Sequence, residues 1–200
     1  MMRRMPGALI FAAMMTLGLT LGGCTSKVPV KPPPINFADG KTIDLDVAVI
    51  DVVEQYRSPM GKPNVEHLAP NSPTQAVRRW AAQRLRPVGQ SGSVQVVIVD
   101  ASIVESQLAR EQGVTSYFTT QQAQRYDGRI EVKLVSQNSP SGVNGFVQGV
   151  ATRSQTVPED ISLAGREEVW DKLVRGMMED VDVRINQAVR EGLGALLKSR

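Results

Sequence analysis

The residues able to do chemistry in this chain are few. There is one histidine, His67, and one cysteine, Cys24. Carboxylates gather at Asp44, Asp46 and Asp51, and again at Glu159-Asp160. A thiol can serve as a nucleophile, a metal ligand or the acceptor of a lipid group. Two carboxylates on one face can share acid–base work. His67 has no second His and no Cys near it in the sequence, so it forms neither a paired metal-ligand spacing nor a nucleophile–base pair. Alternation along a strand places Asp44 and Asp46 on one face and Asp51 on the other, so the three do not converge from one strand. They read as strand-end and solvent-facing charges. Glu159-Asp160 follows Pro158 ahead of a long helical pattern, where negative charge meets the positive end of the helix dipole. Glycine-rich phosphate loops, zinc-ligand pairs and nucleophile elbows are missing. The expectation is a chain with no catalytic residue, no cofactor and no metal.

That leaves Cys24, and its surroundings are specific. Arg3 and Arg4 make a positive start, and Leu9 to Leu21 form an uncharged, mostly apolar run. A run of about 7–15 residues suits the apolar part of a signal peptide and falls short of the roughly 20 residues a membrane-spanning helix needs. Leu21-Gly22-Gly23-Cys24 resembles the bacterial lipobox, in which two small residues stand between a leucine and the cysteine. The resemblance implies cleavage before Cys24, diacylglyceryl attachment to its thiol and acylation, such as palmitoylation, of the new amine. One acyl chain anchors a protein only marginally, whereas two or three hold it on the membrane. Thr25, rather than Asp, follows the cysteine. In lipoproteins of this type that resembles sorting to the outer membrane, facing the periplasm.

Composition changes meaning once the leader is set aside. Removing Arg3 and Arg4 from the 23 basic residues leaves 21 against 20 acidic ones. A nearly neutral mature chain without a basic patch argues against nucleic-acid binding. An acylated Cys24 leaves no thiol for a disulfide, so the domain must rest on its core. Aromatic residues are only 4 % of the chain, and the core therefore falls to Val, Ile, Leu, Met and Ala.

The elements follow in order. Residues 1–23 read as the signal peptide and 24–41 as a lipidated tether, with Pro29, Pro32, Pro33 and Pro34 favouring an extended polyproline spacer. Residues 42–200 read as one domain. Ile43 to Val53 is predicted as a first strand whose apolar face switches partway along. Tyr56 to Pro70 reads as a surface loop. Ser72-Pro73-Thr74-Gln75 fits a capping box opening a helix, with Trp80 on its core stripe, stopped by Pro87 and Gly89. Val94 to Val104 is a second strand, Gly128 to Val135 a third with clean alternation, and Phe146 to Val157 a fourth. The first helix is long enough for a parallel crossover between the first two strands. Between the second and third strands, Glu105 to Asp127 reads either as a protruding hairpin or as a surface loop. Tyr117 and Phe118 at its tip are candidate partner contacts, or else fold back onto the core. A final helix runs from about Leu163 to Val189, with acid–base pairs at Glu168/Lys172, Asp171/Arg175 and Asp180/Arg184 on its solvated side.

The predicted class is α+β: a four-stranded mixed sheet in the order β-α-β-β-β-α with two helices packed on one face. This order, with the lipobox, resembles the auxiliary lipoproteins of ABC-type lipid transport systems and the lipopolysaccharide-assembly lipoprotein of the outer membrane. Val77-Arg78-Arg79-Trp80, Arg125-Tyr126-Asp127 and Thr156-Val157-Pro158-Glu159-Asp160 are also similar to segments of proteobacterial envelope lipoproteins. Three functions are open at this point. The first is a non-enzymatic, lipid-anchored accessory subunit that docks on an envelope protein partner by a strand edge or by the Tyr117–Phe118 excursion. The second is a carrier holding a lipid or glycolipid between sheet and helices. The third is a periplasmic enzyme built on converging carboxylates. The membrane, through the acyl chains, is a partner in the first reading; a small-molecule ligand is left open.

Overall fold

A computed structural model describes residues 32–108, 122–139 and 141–198. Among these residues six strands and two α-helices follow one another as β1 (Ile43–Leu45), β2 (Val49–Glu54), α1 (Pro73–Arg84), β3 (Leu85–Pro87), β4 (Ser93–Gln107), β5 (Gln122–Gln137), β6 (Gly145–Pro158) and α2 (Leu163–Gly192). The class is α+β. The main sheet is mixed and four-stranded, ordered β2-β4-β5-β6, with β2 and β4 parallel and the other pairs antiparallel. A second, small parallel sheet pairs β1 with β3.

The first predicted strand is two strands in two sheets. Ile43 and Leu45 are buried in the small sheet, while Ile50 and Val52 pair in register with Val94 and Val96 of the main one. Between them the chain changes sheet: Asp46 N–H donates to Leu196 O, and Ala48 N–H to the Ser91 and Gly92 carbonyls. The switch of apolar face along Ile43 to Val53 records this crossing. β3 likewise has no local signal in the sequence. Pro87 reads as a helix stop, yet Leu85-Arg86-Pro87 leaves α1 directly into a short strand whose proline sits at an end, where a missing N–H is tolerated. Gly89 makes the crossing possible, because a Cβ there would stand 2.5 Å from the Asp46 carbonyl carbon. The C-terminal segment completes the small sheet, with Leu197 bridging Leu45 and Lys198 N–H donating to Asp44 O.

β4 and β5 form long hairpin arms, so the hairpin alternative holds as far as Gln107 and Gln122. The residues between Leu108 and Gln122 lie outside the described part. On the far half of β4, the segment around Asn64 takes the place of a neighbouring strand through Val65 N–H to Ile103 O and Glu105 N–H to Pro63 O. Part of the loop predicted from Tyr56 to Pro70 therefore closes an edge of the sheet.

Both helices cover one face. Ser72 caps α1, its Oγ accepting from Gln75 N–H, and Ser162 caps α2 through Gly165 N–H. Val94, Val96, Ile98, Ile130, Val132 and Leu134 from the sheet are fully buried against Val77 and Trp80 of α1 and Val174, Met177, Val181 and Ile185 of α2. Each such aliphatic side chain contributes about 1.5–3 kcal/mol on burial. Leu163, at the start of the predicted stripe, is 69 % exposed. Of the predicted i,i+4 pairs, Glu168–Lys172 and Asp171–Arg175 form at 2.8 and 2.6 Å. Asp180 instead turns to Arg153 of β6 at 3.0 Å, a tertiary pair no local pattern encodes. Gly176 lets the Arg153 guanidinium lie within 2.7 Å of where a Cβ would be.

Packing begins before residue 42. Asn71 and Arg175 both donate to Pro33 O, at 3.1 and 2.6 Å. Ile35 is buried, Phe37 N–H donates to Gln83 Oε1, and Lys41 O accepts from Arg84. Residues 33–41 thus form a strap laid along the helices.

Candidate functional site

Cys24, Tyr117 and Phe118 lie outside the described residues. The other residues singled out by type are dispersed. Asp44 is bound by Arg86 of β3 and by the Thr42 hydroxyl. Asp46 pairs with Lys198 at 3.0 Å. Asp51 is exposed on the opposite face of the main sheet from the helices. Glu159 and Asp160 are exposed ahead of α2. His67 sits in a single 3-10 turn, Glu66–Leu68, and its Nδ1 is buried without a partner. Among the described residues no group of three His, Cys, Asp or Glu side chains is arranged to hold a metal ion. Trp80 is in the core, with its indole N–H donating to Asp182 at 2.7 Å.

Three polar networks, buried or partly buried, stand out among the described residues. Glu66 is 3 % exposed and accepts from the Tyr56 hydroxyl at 2.7 Å, from Ser58 Oγ, from Asn64 Nδ2 and from the Ile103 backbone N–H at 3.2 Å. Burial by itself raises a carboxyl pKa, but the donors from Ser58, Tyr56 and the backbone outweigh it, and Glu66 ends below its ordinary value. Tyr56 moves up, first through burial and then because its hydroxyl is committed to the Glu66 carboxylate. The second network joins the two helices: Asp182 accepts from Arg84 in a two-pronged pair at 2.8 and 3.0 Å and from Trp80. The third sits at the strap, where Asp171 accepts from Asn71 at 2.7 Å and from Arg175 at 2.6 Å. All three fasten segments distant in sequence. None opens a shared carboxylate face to solvent.

The space between the sheet and α2 is filled. A Cβ at Gly128 would lie 2.7 Å from the Met177 methyl, and one at Gly149 2.9 Å from Ile185. The helix and the strands are in direct contact at both positions. Val157 is buried, and Tyr126 stacks edge-on to Trp170 with centroids 5.5 Å apart while its hydroxyl accepts from Arg166. Burial raises the Tyr126 pKa, and Arg166 opposes the rise.

The surface that no described element covers is the other face of the main sheet. Register places Asp51, Gln95, Val135 and Phe146 in one row and Val53, Val97, Lys133 and Gln148 in the next. Val49 and Phe146 are 46 % and 60 % exposed there, and Val53, Val135 and Val150 are half-buried. Lys133 Nζ stands 5.5 Å from the centre of the Phe146 ring. Farther along, toward the hairpin tip, the face turns ionic: Arg129 pairs with Glu131 at 2.6 Å and Asp100 at 3.2 Å, and Arg125 with Asp127. β6 bounds this face, and its outer edge has no paired strand among the described residues. A two-zone face beside an open strand edge is suited to protein contact, through main-chain hydrogen bonds and an aromatic anchor.

Among the described residues no helix is long and apolar enough to cross a membrane. No protein-family model matches the sequence. No curated protein matches it either. Among solved structures it is similar to a PelC dodecamer from Paraburkholderia phytofirmans, at 12 % identity over 71 % of this chain and 90 % of that one, with a TM-score of 0.27. At that score the likeness carries no argument about fold or function.

Proposed function

We propose that this chain is a non-enzymatic, lipid-anchored accessory subunit of a cell-envelope transport or assembly complex, and that it docks through the outer face and free edge of its main sheet. The observation that carries the reading is the uncovered face built around Val49, Val135, Phe146 and Val150, bounded by the open edge of β6. Two features support it. Asp44 and Asp46 are each engaged in an ion pair that fastens the small sheet. The strap over residues 33–41 holds the start of the domain against its helices, so a tether from Cys24 would present the sheet in a defined orientation.

The test places a photo-crosslinking amino acid at position 146 or 150 of the full-length chain in cells, with position 57 on the Tyr56–Pro70 loop as comparison. A discrete crosslinked envelope protein at 146 and 150, absent at 57 and lost in a Cys24→Ala chain, is the expected result. Equal labelling at all three positions, or none at 146 and 150, would remove the basis for the proposal.

A further inference from the structure

A cleft of about 630 Å³ opens between β1 and the last turns of α2, on the opposite side of the molecule's core from the face described above. Its volume lies within the roughly 300–1,000 Å³ of ordinary small-molecule sites. The floor is apolar: Ile43 and Val189 are buried, and Leu197 packs against the core. The rim is cationic, from Lys41, Arg190 and Lys198. One carboxylate, Asp44, lines the cleft, and Arg86 already holds it through both Nε and Nη2. Lys198 is engaged by Asp46 at 3.0 Å. The ammonium of Lys41 and the guanidinium of Arg190, both exposed, are in no ion pair among the described residues. Asn186 completes the wall, with its Nδ2 donating to the Asp182 carbonyl and carboxylate.

An apolar floor beneath a rim of two uncommitted cations selects for a molecule with both characters. We propose that this cleft binds an anionic amphiphile of the acidic-phospholipid type, with its head group between Lys41 and Arg190 and an acyl chain on Ile43, Val189 and Leu197. A simple anion gains nothing from the floor, and a zwitterionic lipid brings its own cation to the rim. The inference is independent of the docking face and holds whether or not Cys24 carries lipid.

The experiment titrates the full chain, purified in a nonionic detergent, with short-chain dihexanoyl phosphatidylglycerol by calorimetry. Dihexanoyl phosphatidylcholine and inorganic phosphate are the comparison ligands. Saturable phosphatidylglycerol binding is expected, at least tenfold tighter than either comparison ligand. Lys41→Glu/Arg190→Glu should weaken it at least tenfold, whereas Arg57→Glu/Arg184→Glu, which makes the same change in net charge at exposed positions outside the cleft, should not. Unchanged thermal unfolding of each variant separates lost binding from lost folding, and the single Lys41→Ala replaces the double variant if the latter unfolds. Binding of phosphatidylcholine as tight as that of phosphatidylglycerol would overturn the role of the rim. Inorganic phosphate binding as tightly would overturn the role of the floor, and equal loss in both double variants would overturn the location.

Discussion

Glu66 shows how a single residue acquires a role that its neighbours in sequence do not announce. It is a carboxylate buried without a cation and held by four donors from the loop and from β4. Its pKa is lowered in the folded chain, so its contribution is present above the ordinary carboxylate value and is lost as pH falls through the lowered one. Glu66→Gln removes the charge and turns an amide N–H₂ toward hydroxyl and amide donors. The variant should lose about 1–3 kcal/mol at neutral pH. The gap from wild type, read from urea midpoints, should narrow toward strongly acidic pH; a gap independent of pH would contradict the charged network. Asp182 makes the complementary case. Asp182→Ala leaves the Arg84 guanidinium buried and strips Trp80 Nε1 of its acceptor, for a loss of about 3–5 kcal/mol. Replacing both partners of the ion pair, as Arg84→Met/Asp182→Leu, should cost less than that single change in the same chemical-denaturation measurement.

At the scale of elements, the local signals were strong where a pattern is local. The Ser72 cap, the alternation of Ile130, Val132 and Leu134, and the stripe from Trp170 to Ile185 all appear in the sequence, since each depends on a period of two or 3.6 residues. Glycines mark where one element presses on another. Gly149 faces Ile185, and a larger side chain there must push α2 off β6. Gly149→Val should therefore destabilise by about 1–3 kcal/mol through overpacking. Gly145→Ala, at the start of the same strand with no atom within 4 Å of the new Cβ, should stay within roughly 0.5 kcal/mol. Thermal unfolding of the two variants side by side checks the claim. Equal effects would mean that β6 and α2 are not in tight register at Gly149.

For the whole molecule, one face of the sheet is spent on the core and the other is available. Phe146→Asp alters only the available face, where the ring is 60 % exposed. It should change the unfolding temperature by no more than a few degrees and abolish recovery of the crosslinked partner, as judged by the same labelling yield. A large loss of stability would instead assign Phe146 to the fold. Cys24→Ala tests the other end of the arrangement. The variant should leave the membrane fraction, and one that keeps acyl-mediated membrane attachment would refute the anchor.

The sequence by itself determined the α+β class, the Ser72 cap, the long strands β4 to β6 and the core stripes of both helices, because these rest on neighbours within a few residues. Only the tertiary structure decided that Ile43–Leu45 and Val49–Glu54 belong to different sheets, that Asp180 answers Arg153 rather than Arg184, and that Lys41 and Arg190 share a cleft. Each of those outcomes depends on chain segments brought together across a core. A one-dimensional pattern records which side of an element is apolar. It does not record what that side meets, and the partners of a charge or the walls of a cleft are set by that meeting.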